Sequence, residues 1–515
     1  MPQFSIADFG AESGSAGIKH VFVLMLENRS FDHMLGFSGI TGTDAETGHP
    51  TVIDGLKGDE KNTVLGGQEV QVRRRAPDTM EKGPGHDFLD VLEQLTTEKR
   101  YPRGGPYPAI KQPADMGYAQ NYRGAGDPQE VMNGFTEDQL PILHRLAREF
   151  AVCDRWFSSL PGPTFPNRFF VHAASSGGVD YDASDDEALT VKWATVSGKA
   201  FPHSHIFQVM DNAELEWRIY AGDSFPAAAL LEDVNLASDV ANFEDEFAED
   251  LSAADFRSVR YIHIEPKYFA EPALTNFGDY SGGNSQHPSG SIHAGEALIK
   301  RTYEAIRNSP LWEESMLIIT WDEHGGFFDH VPPPPAVPPG DGAADDNKHG
   351  FVFDQLGPRV PAVIISPRIP KNTIDHRVYD HSSVPATIER VFGLDPMTNR
   401  DAAANAPHTL LTLREPRTDA PARLGDVAQS PLPVARVMTR EELARPLAAG
   451  GARAFLHVAV VADLRMSPPS EHDAILARVK AIKTYQEARD YAQDVSSRVR
   501  LARVKARPAR AMPIG

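Results

Sequence analysis

Two carboxylates, Asp322 and Glu323, stand side by side directly after the apolar run 316–319 and a Thr-Trp pair. Like charges at neighbouring positions repel each other, and their removal from water is costly unless a cation compensates them. Gly325 and Gly326 follow almost at once, and glycine lets a backbone fold tightly against a ligand. An isolated acidic pair is usually a solvated loop, so this cluster indicates a metal site only if a second one joins it.

A second apolar run ends in the same way. The stretch VFVLMLENRSFDH places Glu27 and Asn28 directly after a strand-like segment. Two strands that end in oxygen-rich clusters can meet at one edge of a sheet and hold a divalent cation together. The two clusters therefore predict one or more divalent ions bound by Glu27, Asn28, Asp322 and Glu323. Oxygen ligands of this kind permit calcium, magnesium, manganese or iron.

A third segment, SSLPGPTFPNRFFVH, contains a hydroxyl that could act as a nucleophile. Its prolines and glycine predict a rigid loop that presents Thr164. A threonine in a proline-rich turn is nearly always structural. A nearby metal changes this expectation, because coordination can lower the pKa of a hydroxyl enough for attack on phosphorus.

The elements that must position these residues alternate along the chain. The strand-like runs 20–30, 316–324 and 359–369 are apolar without alternation, which is typical of strands covered on both faces in a mostly parallel sheet. Helix-like stretches such as 136–152 and 293–310 lie between them. This order predicts an α/β fold with its ligands at the carboxyl ends of the strands.

The amino-acid composition changes after about residue 395, where the sequence becomes rich in alanine, arginine and proline. We expect a catalytic domain over 18–395, a linker or irregular region over 396–450, and a smaller, mainly helical region over 451–515. The last region ends in a basic tail, which could dock on anionic lipid head groups, on an acidic face of a second subunit, or form a solvated helix. Its cations are Arg498, Arg500, Arg503, Lys505, Arg507 and Arg510.

Composition limits the classes of function. The 515 residues include 51 Lys and Arg against 71 Asp and Glu, a net charge of −20 that argues against binding nucleic acid. The single cysteine, Cys153, excludes an internal disulfide framework and a cysteine-rich zinc site. No secretory signal is visible and no stretch approaches the roughly 20 apolar residues of a membrane span. We expect a cytoplasmic protein, with an exported mature form as the alternative.

Several segments together resemble a known family. Over about 18–395, and in order, they are similar to the motif series of the phosphoesterase family that includes bacterial phosphatidylcholine-type phospholipases C, plant non-specific phospholipases C and a bacterial acid phosphatase. The resemblance implies an alkaline-phosphatase-like fold, with a mixed sheet between helical layers. The segments are ENRSFDH, PGPTFPNR, HPSGSIHAGE, WDEHGGFFDHVPPP and DHSSVPATIERVFG.

The resemblance also implies roles for individual residues. It makes Glu27, Asn28, Asp322 and Glu323 the metal ligands, and Thr164 both a ligand and the nucleophile. In addition, two histidines match family positions that bind phosphate or protonate the leaving group. They are His86 in GPGHDF and His287 in SQHPSG.

One departure from the family pattern follows His287. Plant members tend to read HPSHD, whereas Gly290 and Ser291 occupy the last two of these places here. A helper residue is therefore either absent or displaced to His293.

Arginine and histidine side chains beside the motifs could act on the phosphate or the metal, or could support other residues. Arg29 or Arg168 could neutralise charge on the phosphate oxygens, although Arg29 could instead clamp Glu27. Asp32 is a second partner that Arg29 could clamp. His324 could act at the metal or support it from behind.

We interpret the chain as a metal-dependent phosphoric ester hydrolase. A phospholipase C-type phosphodiesterase with a phosphothreonine intermediate on Thr164 is favoured, and an acid phosphatase on the same site is the rival. A non-catalytic binding protein is the third hypothesis. A sulfatase is excluded because Cys153 does not stand in a C-x-P-S-R context.

The substrate would be a phosphoester small molecule or a phospholipid head group, chosen by pocket walls from 40–130, 175–260 and 331–350. Aromatic residues there could cage a choline group or simply pack in the core. They include Trp193, Trp217, Tyr220 and Phe328.

Overall fold

The computed structural model describes residues 17–182, 199–269, 280–343, 347–428, 438–447 and 451–506. Its strands are β1 (His20–Leu26), β2 (Thr41–Asp44), β3 (Pro50–Val52), β4 (Lys61–Val64), β5 (Gln68–Gln71), β6 (Arg73–Arg74), β7 (Asn133–Gly134), β8 (Ala151–Cys153), β9 (Glu216–Ala221), β10 (Val240–Asn242), β11 (Val259–Glu265), β12 (Ser315–Trp321), β13 (Ala362–Ile365) and β14 (Thr373–Asp375).

Helices occupy much of the remaining chain. They are α1 (Phe31–Leu35), α2 (Phe88–Thr96), α3 (Tyr118–Tyr122), α4 (Pro141–Glu149), α5 (Thr164–Ala173), α6 (Ile206–Asn212), α7 (Phe243–Asp250), α8 (Ile292–Arg307), α9 (Ser383–Phe392), α10 (Asn399–Ala403), α11 (Arg440–Leu443), α12 (Gly451–Met466), α13 (His472–Ala481) and α14 (Tyr485–Ala506).

The central sheet has ten strands in the order β10-β9-β11-β1-β12-β13-β8-β14-β2-β3. Strand β1 runs parallel to both of its neighbours, β11 and β12, whereas β13 is antiparallel to β12 and to β8. Helices pack around the sheet in groups, since α4 and α7 contact α8, and α6 and α9 contact α5. The mixed, mostly parallel sheet that we expected is therefore confirmed.

The two strands that carry the acidic clusters are direct neighbours. Every residue of β1 and of β12 is buried, which explains why neither strand alternates between apolar and polar residues. Their register pairs Leu26 with Trp321, so both strands end at the same level. The residues that follow, beginning with Glu27 and Asp322, must therefore emerge side by side at one edge of the sheet.

The C-terminal helices share the hydrophobic core of the sheet domain. Phe455 on α12 and Val495 on α14 belong to the same buried cluster as β1 and β12. The guanidinium of Arg465 donates to the backbone carbonyls of Ala229, Leu231 and Val234. This region is therefore joined to the catalytic part of the chain by side-chain packing and hydrogen bonds.

The cations at the end of α14 are partly engaged by the protein itself. Arg498 pairs with Asp463 at 2.7 Å, and Arg503 Nε donates to the carbonyl of Leu236 at 2.9 Å. Arg507 and Arg510 lie outside the described residues. Within the described part of the chain, no helix is both long and apolar enough to cross a membrane. A membrane role for the tail stays a prediction.

A buried ion-pair network fixes the chain segments that follow β1 and β12. Arg359 donates from Nη2 to Asp32 at 3.0 Å and from Nε to Asp329 at 2.8 Å. His330 Nδ1 lies 2.7 Å from the other oxygen of Asp32. Because Asp32 lies in α1 and Asp329 follows β12, the network holds together the two segments that contain the acidic clusters.

We expect Arg359→Met to lower the free energy of unfolding by about 3–5 kcal/mol, because it leaves the buried carboxylate of Asp329 without its cation and Asp32 with His330 alone. Urea denaturation of the full chain would measure the change. Arg75→Met is the control, because Arg75 pairs with Asp138 on the exposed surface and its loss should change little. Equal stability of the two variants would show that the network is not needed.

Candidate active site

Residues after β1 and β12 form a compact cluster of oxygen-bearing side chains. The backbone N–H of Asn28 donates to Asp322 Oδ1 at 2.9 Å, and its side-chain amide donates to Glu323. Asn28 adopts a left-handed conformation with φ of 57°, which an asparagine tolerates. A Cβ at Gly325 would lie 2.1 Å from the carbonyl oxygen of Asn28, so this close approach requires glycine.

The cluster holds more negative charge than the nearby cations offset. Burial raises the pKa values of Glu27 and Asp322, and the neighbouring carboxylates act in the same direction. Arg168 opposes this effect, since its Nε donates to Asp322 Oδ2 at 3.0 Å.

The donor set fits a hard divalent cation. Glu27 Oε2 and Asn28 Oδ1 are buried, and neither has a hydrogen-bond partner among the residues that the structure describes. Unpaired buried oxygens next to further carboxylates are what calcium, magnesium or manganese would satisfy.

A cavity of about 130 Å³ opens onto this cluster. Five of the residues predicted for the site line it, whereas Asp322 and Glu323 are fully buried and contact Asn28. The structure thus brings the metal-ligand candidates, the nucleophile candidate and two histidines to one place. The five lining residues are Glu27, Asn28, His86, Thr164 and His287.

The expectation that Thr164 lies on a loop is wrong, because it is the first residue of α5. Asn167, one turn further on, donates to the carbonyl groups of Gly162 and Pro163 at 3.0 Å and fastens the preceding turn. The N-terminal end of a helix carries partial positive charge, which favours an anion, and in α5 the N–H of Phe165 already donates to Asp182 Oδ1 at 3.0 Å while Pro166 has no N–H. The Thr164 hydroxyl therefore stands where a phosphate group would be stabilised.

Two histidines line the cavity in different electrostatic states. Burial alone would lower the pKa of His86, but the carboxylates of Glu323 and Asp87 help to raise it to about 9. Desolvation lowers the pKa of His287 well below its ordinary value. The backbone N–H of Ser289 donates to His287 Nδ1, so the ring proton is assigned to Nε2.

The ring of His287 is also held in place by an aromatic contact. It stacks on Tyr280, with centroids 3.7 Å apart. This stacking fixes the plane of the imidazole in the cavity wall.

Three other candidates do not line the cavity. Arg29 is fully buried and donates to the carbonyl of Gln286 at 2.8 Å, rather than clamping Glu27 or Asp32. Burial lowers the pKa of Arg29 to about 9.

The other two candidates are histidines. His293 lies 3.2 Å from Asp78, outside the lining of the cavity, so it does not replace the missing helper. His324 hydrogen-bonds with Gln94 through Nε2 at 2.8 Å.

Arg168 and His381 support the acidic cluster from behind. In addition to its bond to Asp322, Arg168 donates to the carbonyl of Leu26 at 3.2 Å. His381 Nε2 lies 2.6 Å from the backbone carbonyl of Asp322. These contacts orient the ligand candidates and leave the side of the cluster that faces the cavity open.

Some cavity residues were missed by reasoning from the sequence. Asp87 and Asp90 follow His86 at positions that share a helix face, which is a signal that could have been used. Asp182, Tyr280 and Phe455 reach the cavity only through the tertiary fold.

Of the two roles considered for the aromatic residues, caging a choline group or packing, the three described ones have the packing role and do not line the cavity. Trp217 packs on Phe207, Tyr220 donates to Asp250, and Phe328 packs on Tyr118 in the core. Trp193 lies outside the described residues.

Comparison with known proteins defines the class. The chain is 35% identical over 442 residues to non-specific phospholipase C5 of Arabidopsis thaliana, which covers 80% of this chain and 78% of that protein. It is 25% identical over 426 residues to phospholipase C B of Mycobacterium tuberculosis, with 76% of each chain covered. Such relatives and the site above define a hydrolase that acts on phosphoric ester bonds. Residues 18–395 match the phosphoesterase family, and the chain belongs to that family.

Among solved structures, one similar chain is a protein in the alkaline phosphatase superfamily from Vibrio parahaemolyticus. It is 12% identical, covers 73% of this chain and 76% of its own length, and gives a TM-score of 0.30. A TM-score this low adds nothing to the assignment.

Gln94 provides a test of how the site is held. Its Oε1 accepts from His324 Nε2 at 2.8 Å, and its Nε2 donates to the carbonyl of Gly85, beside His86, at 2.7 Å. We expect Gln94→Leu to lower metal affinity or kcat about 10- to 100-fold, because an outer partner of the site is lost. Gln139→Leu is the control, since Gln139 donates to Ala76 and does not line the cavity. Unchanged metal affinity and kinetics in Gln94→Leu would contradict this role.

Proposed function

We propose that the chain is a phospholipase C-type phosphodiesterase in which Thr164 forms a phosphothreonine intermediate. The observation that carries the proposal is the placement of Thr164 at the helix N-terminus, in the same cavity as Glu27 and Asn28 and two histidines. A nucleophile, an anion-stabilising helix end and a proton donor are the components that phosphoryl transfer needs.

The proposed reaction has two steps. The Thr164 hydroxyl releases its proton to solvent, Oγ1 attacks phosphorus in line, a bond from oxygen to phosphorus forms, and the bond to the leaving alcohol breaks. His287 keeps its Nε2 proton and hydrogen-bonds the departing oxygen, and the protonated ring of His86 gives this oxygen the proton it needs. Water then attacks the phosphothreonine and passes a proton to His86, while the Thr164 oxygen leaves phosphorus and takes up a proton from solvent, which releases the phosphorylated head group.

Glu27, Asn28, Asp322 and Glu323 would hold a divalent cation, and Thr164 would complete the set. When bound, such an ion neutralises phosphate charge and lowers the pKa of a coordinated hydroxyl. His86 contributes positive charge of its own, because the surrounding carboxylates keep its ring protonated at neutral pH. His86 Nε2 lies 3.3 Å from Asn28 Nδ2, and this position suits contact with a phosphate oxygen.

The charge of the cavity wall supports a diester over a monoester. Asp87 and Asp90 line the cavity, and they would repel the second negative charge of a monoester dianion. A diester carries one charge, and a cationic head group would meet carboxylates and the rings of Tyr280 and Phe455. Acid phosphatase activity is therefore the second candidate.

Replacement of Thr164 tests the intermediate. We expect Thr164→Ala to lower kcat about 10³-fold or more, because no hydroxyl remains to attack phosphorus. Thr164→Ser keeps the hydroxyl and should retain measurable turnover. Acid-quenched wild-type protein should carry a phosphate on the peptide with Thr164, detected by mass spectrometry. Undiminished turnover in Thr164→Ala would exclude the nucleophile assignment.

A substrate comparison tests the preference for diesters. We expect faster hydrolysis of p-nitrophenylphosphorylcholine than of p-nitrophenyl phosphate, because the acidic wall disfavours the dianion. Both activities should disappear with a chelator and return when individual divalent metals are added. Preference for p-nitrophenyl phosphate would identify a phosphatase instead. Lack of turnover on both, with every metal, would favour a binding role.

A further inference from the structure

One face of α5 carries polar residues at a spacing of four. Thr164, Arg168 and His172 lie at successive i, i+4 positions, so they share a face of the helix. Thr164 lines the catalytic cavity, and Arg168 bonds Asp322. His172 lies two turns beyond Thr164, with its ring centroid 4.6 Å from that of His263 on β11. The far end of the same helix face therefore meets a second polar cluster.

This cluster consists of His172, His263 and Glu265, all of them buried. One potential ligand atom from each residue lies within 4.8 Å of the other two. His172 Nδ1 and His263 Nε2 are buried atoms that have no hydrogen-bond partner within the part of the chain that the structure describes. Unpaired polar atoms at this depth are costly, and two of them in one cluster require a common explanation.

Glu265 has one acceptor position left for this cluster. Its Oε2 accepts from the N–H of Ala227 and from the hydroxyl of Tyr268, and its Oε1 accepts from the N–H of Ala228. The remaining lone pair of Oε1 lies near His263 Nε2, at 3.8 Å.

We propose that His172, His263 and Glu265 form a second cation site, distinct from the catalytic cluster, which binds a zinc-class divalent ion. Two imidazoles and a carboxylate are a ligand set that zinc favours, and the fourth position would be taken by water. In a tetrahedral zinc site the ligand atoms stand about 3.3–3.5 Å apart, so the 3.8 Å between His263 and Glu265 needs a small contraction, and pairs as far apart as the 4.8 Å limit need a larger one of roughly 1.4 Å. A direct hydrogen bond between His263 and Glu265 would satisfy one imidazole and leave His172 Nδ1 without a partner among the described residues, whereas a cation satisfies both.

Two further features suit a cation here. Burial lowers the pKa values of His172 and His263, so both rings are neutral at pH 7 and have a lone pair to offer. Tyr261 Oη lies 3.3 Å from His263 Nδ1, and donation of the Nδ1 proton to this oxygen would leave the lone pair of Nε2 free for the metal.

The ion would join α5 to β11 behind the catalytic cluster. Glu265 Oε2 also lies 3.9 Å from Arg168 Nη1, and Arg168 in turn bonds Asp322. The proposed site is therefore structural, and it would fix the helix whose first residue is Thr164.

The test uses the full chain with its catalytic cluster disabled by Glu27→Gln and Glu323→Gln, which keeps the bond between Arg168 and Asp322. After incubation with Zn²⁺ and desalting, mass spectrometry of metals should count about one zinc ion per chain. Addition of His263→Asn should remove it, and addition of His144→Asn should not. His144 is the control because it is a buried histidine that bonds the carbonyl of Met34, remote from the cluster.

Two outcomes would overturn the proposal. One is a disabled chain that retains no zinc, and the other is equal zinc content with and without His263→Asn. If the His263 variant does not fold, X-ray absorption at the zinc edge of the disabled chain decides the question. Scattering from imidazole ligands supports the site, and a shell of oxygen alone contradicts it. Neither readout depends on catalytic activity, so the result is independent of the proposed phosphodiesterase function.

Discussion

The carboxylates of Glu27, Asp322 and Glu323 are buried beside one another. The surrounding structure must therefore offset the free-energy cost of their desolvation and of their mutual repulsion. Part of the answer is a set of donors aimed at them, including the backbone N–H of Asn28 and the guanidinium of Arg168. Such donors do not saturate the cluster, because Glu27 Oε2 has no hydrogen-bond partner among the described residues. The residual negative charge faces the cavity, where the divalent cation proposed above would balance it together with the charge of a phosphate group.

Rigidity of the site comes from elements that never touch the cavity. The level ends of β1 and β12 place the acidic residues side by side, and Arg359 ties together the segments that follow these strands. Gln94 then connects the acidic segment, through His324, with the turn that carries His86. Each connection is a buried polar contact whose partners would be unpaired if the segment moved, so the cluster is held in one arrangement.

The strands and the metal-ligand candidates were predictable from the local sequence. A buried parallel strand appears there as an unbroken apolar run, and oxygen-bearing residues follow directly after it. Thr164 was found by its motif, but its place at the start of α5 was not, since the prolines around it are also typical of a loop. Asp182 and Phe455 left no local signal, because tertiary packing alone brings them to the cavity. Arg29 shows the opposite error: its charge and its neighbours suggested a role in the cavity, whereas burial directs it to the carbonyl of Gln286.

Family membership determines the reaction class, but it does not account for every residue that lines the cavity, as Phe455 shows. The family match ends at residue 395, whereas Phe455 belongs to α12 and still lines the cavity, packed against Phe165 beside Thr164. The proposed nucleophile, the histidines and the acidic cluster lie within the matched region, so the reaction class follows from the family. The cavity is limited in part by a ring from outside that region. We therefore expect substrate choice to depend on how α12 packs, because a displacement of that helix would widen the cavity without moving the residues proposed for the chemistry.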